Sequence, residues 1–272
     1  MKKTLLTICL VWMCFSLSAQ KIIDLSGKWS FSIDRQDNGE KEKWFSHTLN
    51  DFINLPGSMP EKLKGDEVTA KTQWTGSLYD SSYYYNPYME KYRKEGNIKF
   101  PFFLTPDKHY VGAAWYQKEV NIPADWKGER ILLFLERPHI ETTVWVNGQK
   151  TGMQNSLCIP HQYDITHYVR PGKCTITIRV DNRIKEINVG PDSHSITDQT
   201  QGNWNGIVGR ICLQTTPKTY FDDIQIYPEP EQKLARVKVV IKGTGTAKVK
   251  LSAERIEVMD TKQFIKYSLL YG

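Results

Sequence analysis

Residues 65 to 110 hold the densest set of side chains able to do chemistry. Trp74, Tyr79, Tyr83, Tyr84, Tyr85, Tyr88 and Tyr92 fall close together, and Phe100, Phe102 and Phe103 follow. Gly76, Pro87, Gly96 and Pro101 interrupt any regular element among them. Aromatic rings stack on the apolar C–H faces of pyranose sugars, and an indole N–H or phenol O–H adds a polar handle. One reading is a sugar site lined by some of these rings, with Trp74 the exposed ring expected to stack. The other is a covering flap whose rings pack on the body of the protein or on a neighbouring domain, the bulk use of aromatic area. The aromatic density argues against disorder, and a connection of this length inside a compact domain is usually functional when it is ordered.

A second stretch, Asn188–Arg210, reads NVGPDSHSITDQTQGNWNGIVGR. It is polar and rich in glycine, the composition of an ordered functional loop rather than a linker. Its Asp and Asn side chains could instead be consumed by backbone groups of a tight loop. Ser193, His194, Ser195 and Asp198 do not make a serine hydrolase, because no GxSxG elbow or strand-to-helix turn accompanies them. His139, His161 and His167 lie far apart and no HExxH spacing occurs, so no metal site and no cofactor are expected. Gly202, Gly206 and Gly209 do not precede an apolar helix, which excludes a phosphate-binding loop.

The elements that must position these loops lie between Trp115 and Asn182. Asn147-Gly148 after Thr142–Val146 is a strong hairpin signal, since both residues accept positive φ. After Pro171-Gly172, Ile176, Ile178 and Val180 alternate with Thr175, Thr177 and Arg179, putting apolar groups on one sheet face and polar groups on the other. Ile131–Leu135 is apolar throughout, as in a strand covered on both sides. Leu25–Ile33 reads as the first strand, with Trp29, Phe31 and Ile33 facing one way, and the polar Asp34–Lys43 as a surface connection. Glu119, Glu136 and Glu141 sit in or beside strand patterns and read as surface or edge residues. The core is an all-β sandwich.

Met1–Ala19 has Lys2 and Lys3, an apolar run from Leu5 to Phe15, and small residues at Ser18 and Ala19. This is the pattern of a cleaved secretory signal; the run is shorter than the roughly 20 residues needed to span a bilayer. A periplasmic or secreted protein is expected, with no membrane attachment after cleavage. The formal charge of the whole chain is +6, and loss of Lys2 and Lys3 would leave +4. That mild balance argues against a nucleic-acid partner, which needs clustered basic residues. Cys158, Cys174 and Cys212 would remain; their odd number and wide spacing fit apolar core residues better than a disulfide framework or zinc site.

Trp115-Tyr116, Trp126-Lys127-Gly128, Val144-Trp145-Val146-Asn147-Gly148, Tyr163-Asp164-Ile165-Thr166 and Arg179-Val180-Asp181-Asn182, in that order, resemble the N-terminal sugar-binding domain of family 2 glycoside hydrolases. The resemblance covers roughly residues 22 to 216. It implies a jelly-roll β-sandwich over residues 20–218, with 65–110 as an insertion, then an immunoglobulin-like domain and a catalytic (β/α)8 barrel. It also implies that the loop before the last sandwich strand helps bind the terminal sugar. Matched residue by residue, Asp198, Asn203, Trp204 and Asn205 become sugar contacts: Asp198 accepting from hydroxyls, the Asn residues donating and accepting, Trp204 stacking. Asn205-Gly206-Ile207 stands where many β-galactosidases have Ser-Gly-Ile. The family's catalytic glutamates lie at barrel strand ends, one in an Asn-Glu pair, and no Asn-Glu dipeptide occurs in this sequence. No catalytic residue is therefore expected, since glycosidases need two carboxylates flanking the scissile bond.

Residues 219–272 are expected to form part of the immunoglobulin-like domain. Phe221–Pro228 reads as an exit strand ending in a linker at Pro228-Glu229-Pro230, followed by strands at Arg236–Ile241 and Thr246–Leu251 and a tail, Phe264–Gly272, without clear alternation. Such a domain needs about seven strands, so a product truncated before the barrel is the expectation. The leading reading is the carbohydrate-recognising front part of an exported glycosidase for a β-linked galactoside, glucuronide or similar sugar, partnered with the missing barrel. The alternative is a stand-alone carbohydrate-binding module or lectin-like protein that uses the aromatic flap.

Overall fold

The computed structural model describes residues 21–76, 81–185, 192–243, 249–258 and 264–271. The expected signal segment Met1–Ala19, Tyr79, Asn188–Pro191, residues 246–248 of one expected strand and the terminal Gly272 lie outside them. The chain divides into two compact units, one ending at Thr216 and the other beginning at Pro217.

The first unit contains β1 (Ile22–Asp24), β2 (Gly27–Asp34), β3 (Asp51–Leu55), β4 (Gly57–Ser58), β5 (Asp66–Glu67), β6 (Lys108–His109), β7 (Ala113–Ile122), β8 (Arg130–Pro138), β9 (Glu141–Val146), β10 (Gln149–Asn155), β11 (His161–Asp164), β12 (Gly172–Asp181) and β13 (Gly206–Thr216). One sheet runs β10-β9-β12-β7-β2-β3, and the other runs β1-β13-β8-β11 with β4 beside β13. Every pairing within them is antiparallel. The short pair β5–β6 belongs to the insertion. This is the all-β sandwich that the alternating pattern requires.

The inner faces meet as the alternation dictates. Ile176, Ile178 and Val180 are fully buried against Leu133, Leu135, Ile207, Ile211 and Leu213 of the opposite sheet. Burying side chains of this size stabilises by about 1.5–3 kcal/mol each relative to exposure. Ile131–Leu135 is buried at every position, as expected for a strand covered on both sides. Asn147 (φ 50°) and Gly148 (φ 78°) make the tight β9–β10 turn. Asn147 also accepts from the Thr175 backbone N–H at 2.9 Å, which ties the turn to β12.

The outer face of the six-stranded sheet is not the polar surface that the alternation suggests. The connection after β2 folds over it, and Trp44, Phe45 and Leu49 pack on Trp115 and Trp145. Asp34 anchors that fold: its carboxylate accepts from the backbone N–H groups of Asn38 and Gly39, both at 2.9 Å, and from Trp115 Nε1 at 3.0 Å. Thr177 and Arg179 are buried beneath the cover. Glu141 is corrected with them, for it is buried rather than a surface residue, and Arg179 and Lys185 pair with it. Cys174 and Cys212 are buried as expected, whereas Cys158 is exposed in the β10–β11 connection.

The second unit holds β14 (Tyr220–Glu229) paired with β15 (Leu234–Lys242), and β16 (Leu251–Val258) paired with β17 (Phe264–Tyr271). Pro228-Glu229-Pro230 is not a linker. β14 runs through it into a one-turn 3-10 segment, Pro230–Gln232, because Glu229 still pairs with Leu234. The tail also differs from expectation, forming a strand in register with β16, where cross-strand pairing supplies what its irregular pattern does not show.

A buried ion cluster closes the six-stranded sheet at the C-terminal end of β12. Asp181, with no exposed side-chain surface, pairs with Arg179 at 3.0 Å, Arg183 at 2.6 Å and Lys185 at 2.8 Å. Burial pushes its carboxyl upward, but the hydrogen bonds from Arg183 and Lys185 and the charge of Arg179 outweigh this and hold it well below the usual carboxylate range. A depressed folded value gives stability that is present above the unfolded value near pH 3.9 and lost as pH falls through the folded value. Asp181→Asn should cost about 1–3 kcal/mol at pH 7, because three cations lose a shared buried carboxylate and keep only Asp37 and Glu141. Urea unfolding at pH 7 and pH 3 should show the variant's deficit shrinking in acid.

Candidate functional site

The site lies where the insertion meets the loop before β13. That loop turns tightly: the N–H groups of Ile196 and Thr197 donate to Ser193 O, and those of Thr200, Gln201 and Gly202 donate to Thr197 O. Gly202 (φ 77°) then reverses the chain toward β13. Ile196 is fully buried and pins the first turn.

Asp198, 3% exposed, organises the junction. Its Oδ2 accepts from the Thr75 N–H at 2.7 Å, and its own N–H donates to Thr75 O at 3.0 Å. Its Oδ1 accepts from the Asn203 N–H at 2.7 Å, and His109 Nε2 lies 3.2 Å from Oδ2. Asn203 Nδ2 donates to Thr75 Oγ1 at 2.8 Å and to Asn182 O at 3.0 Å. Three of the roughly four acceptor directions of the carboxylate are thus filled by the protein. Asn205 is more fully committed. Its Oδ1 accepts from the Tyr116 hydroxyl at 2.7 Å, and its Nδ2 donates to Gly112 O at 2.9 Å and Val180 O at 3.0 Å. That bonding fits closure of the sandwich end rather than a ligand contact.

Trp74 differs from the exposed stacking ring that its sequence context suggests. It is half-buried, with ring edges against Phe100 at 4.8 Å, Phe102 at 5.0 Å and His109 at 4.6 Å between centroids. The aromatic neighbours that drew attention to it are what cover it. Trp204 is half-buried and meets the His139 ring edge-on at 4.6 Å. Trp74 Nε1, Asn203 Oδ1 and both ring nitrogens of His139 are buried without a hydrogen-bond partner among the described residues. Buried polar groups are nearly always paired, which sets these atoms apart from the rest of the junction. Beside the junction, a cleft of about 450 Å³ is lined by Arg35, Asp66, Lys71, His109 and Tyr110. His109 therefore both faces this cleft and holds Asp198.

Asp198 and Asn203 are hydrogen-bonded to each other, and Trp204 lies against His139. Thr75, His109, Asn182 and His139 were missed as partners. None of them carries a local signal, because each enters through a contact far away in sequence.

The pattern described as the glycosyl hydrolases family 2 sugar binding domain matches residues 22–217. This chain belongs to glycosyl hydrolase family 2. Human β-glucuronidase is 24% identical over 258 residues, covering 84% of this chain and 34% of that protein. The β-glucuronidase of an uncultured Clostridium species superposes with a TM-score of 0.56 at 21% identity, over 93% of this chain and 39% of the other. The Ruminococcus gnavus β-glucuronidase in complex with D-glucuronic acid does so with a TM-score of 0.55 at 18% identity, over 83% and 35%. The chain thus spans about a third of the length of these relatives, and the structural likeness shows a shared all-β fold.

Burial lowers the His139 imidazole from its ordinary value to about 4, and the charge of Asp198 only partly opposes this. The unfolded chain therefore binds a proton below about pH 6.5 that the folded chain refuses until about pH 4. Stability from this residue is complete above pH 6.5 and falls by about 3 kcal/mol toward pH 4. His139→Phe keeps a ring against Trp204 and should flatten the melting-temperature profile between pH 4 and 6.5 without loss at pH 7. An unchanged slope would show that His139 is not the titrating group.

Proposed function

We propose that this chain is the sugar-recognising front part of an exported glycoside hydrolase acting on a β-linked glycoside, a glucuronide in preference to a galactoside. Its role is to shape one wall of a sugar site and leave bond cleavage to carboxylates in a catalytic domain outside this sequence. The observation that carries the reading is the Asp198–Thr75–Asn203 junction, which fixes a carboxylate and an amide carbonyl inside the family's sugar-binding domain. The naming of the relatives as β-glucuronidases supports the preference for a glucuronide. Export rests on the tripartite pattern of Met1–Ala19.

The chemistry divides between holding and cutting. Asp198 would accept from one sugar hydroxyl in its remaining direction, and the Asn203 carbonyl would accept from another. Trp204 would offer the exposed part of its ring to a C–H face. Cleavage needs a carboxylic acid held protonated near neutral pH beside a second carboxylate. The buried acids Asp181 and Glu141 both pair with Arg179 and Lys185, and Asp181 is held in its charged form by these cations and Arg183. They suit a structural ion cluster, not general acid catalysis.

The purified chain should give no turnover of p-nitrophenyl β-D-glucuronide above the buffer rate. D-Glucuronate should shift the NMR signal of the Trp204 indole, and Asp198→Ala should remove that shift. Turnover by the purified chain would refute the division of labour, and an indole signal unmoved at 100 mM ligand, roughly the weakest affinity worth testing, would refute the sugar contact.

A further inference from the structure

The residues Tyr84 to Lys99 lie apart from the Asp198 junction and are not used by it. α1 (Ser82–Tyr85) is followed by a 3-10 segment, Pro87–Tyr92. Asn86 starts that segment by accepting from the Tyr88 N–H at 3.0 Å. In a 3-10 helix side chains three apart eclipse one another, so Tyr88 and Lys91 stand in one row. Tyr88 is 85% exposed and Tyr85 72%, far beyond what isolated surface rings require.

Two cations share one ring beside them. Lys91 Nζ lies 4.9 Å and Lys99 Nζ 5.8 Å from the centroid of Tyr92. The Lys99 N–H donates to Tyr92 O at 3.0 Å, and Asn97 Nδ2 donates to Lys91 O at 2.8 Å, so the backbone holds both lysines there. Among the described residues neither ammonium has a carboxylate partner, whereas neighbouring Lys94 pairs with Glu90 at 3.0 Å. Two ammoniums near one ring, neither matched by a carboxylate, favour a nearby anion. The platform is also fixed from beneath: Tyr83 is buried, bonds Tyr92 O through its hydroxyl at 3.1 Å and packs on Phe100 at 4.8 Å.

We propose that Tyr85, Tyr88, Lys91 and Lys99 form a second carbohydrate site that binds a polyuronate chain. A uronic acid residue offers an apolar C–H face for an exposed tyrosine and a carboxylate for the paired ammoniums. A neutral polysaccharide would leave the cations unused. Single-stranded nucleic acid also stacks on rings beside cations, but the segment lies inside a domain of the sugar-binding type, which favours a uronate over a phosphodiester. The site extends the proposed function from one terminal sugar to the polymer that carries it, and it rests on different residues.

Affinity electrophoresis of the purified chain in native gels tests this. Polygalacturonate in the gel should retard the protein, and dextran should not. Lys91→Glu with Lys99→Glu should abolish retardation. Tyr88→Ala should raise the apparent Kd about five-fold, the scale of one aromatic contact. These positions are exposed, and unchanged melting temperatures would establish that the variants fold. The proposal is overturned by unretarded migration in polygalacturonate, by equal retardation in dextran, or by retention in the charge-reversed variant. It is also overturned if Tyr88→Ala binds as the parent does, which would leave bare charge attraction, or if oligo(dT) binds more tightly than polygalacturonate. The glucuronate-induced shift at Trp204 is read separately, so failure of one site leaves the other standing.

Discussion

A single buried carboxylate holds the functional end of the sandwich together. Asp198 gathers hydrogen bonds from the backbones of Thr75 and Asn203 and lies within bonding distance of the His109 ring. These groups come from the insertion, from the loop itself and from β6. A charge at 3% exposure is tolerated only when hydrogen-bond donors replace the water it has lost. The insertion therefore cannot leave the loop without stranding that charge, and the two longest irregular segments of the first unit behave as one wall.

The sandwich beneath supplies the rigidity this arrangement needs. Asn182 and Asn205 act as amide clasps at the ends of β12 and β13. Asn182 accepts from the Gly112 N–H at 2.8 Å and donates to Tyr110 O at 2.9 Å, while Asn205 links β7, β12 and the Gly112 turn. These bonds satisfy backbone groups where strands separate, the points at which a sheet would otherwise fray. Fixing the strand ends fixes the loop that leaves them, so the position of Asp198 follows from the packing of Ile178, Val180 and Ile207 below it.

The aromatic-rich insertion divides into two parts. Trp74, Tyr83, Phe100 and Phe102 form a packed interior, while Tyr84, Tyr85 and Tyr88 face solvent. Composition alone treats these rings as equivalent, whereas the fold covers some and leaves others at the surface. The division follows contacts: Trp74 and Tyr83 are covered where they meet Phe100, and Tyr84, Tyr85 and Tyr88, without such a neighbour beneath them among the described residues, are not. The β14–β15 hairpin of the second unit shows the converse, with Ile224 and Ile226 exposed despite a regular strand pattern, because no second layer covers them among the described residues.

Period-2 alternation and positive-φ turn residues are local properties written in neighbouring positions, so the main sandwich strands and the Asn147-Gly148 turn are legible in the sequence, while the family shows as a resemblance of ordered motifs from Trp115 to Asn182. The same resemblance marks Asp198, Asn203, Trp204 and Asn205 together, since they lie within one loop. The tertiary structure alone decided that Trp74 is covered, that Glu141 and Arg179 are buried, and that His109 and Thr75 complete the Asp198 junction. Each of those outcomes depends on a partner tens of residues away. Burial and pairing are set by which segments meet in space, and no pattern of nearby residues encodes that meeting.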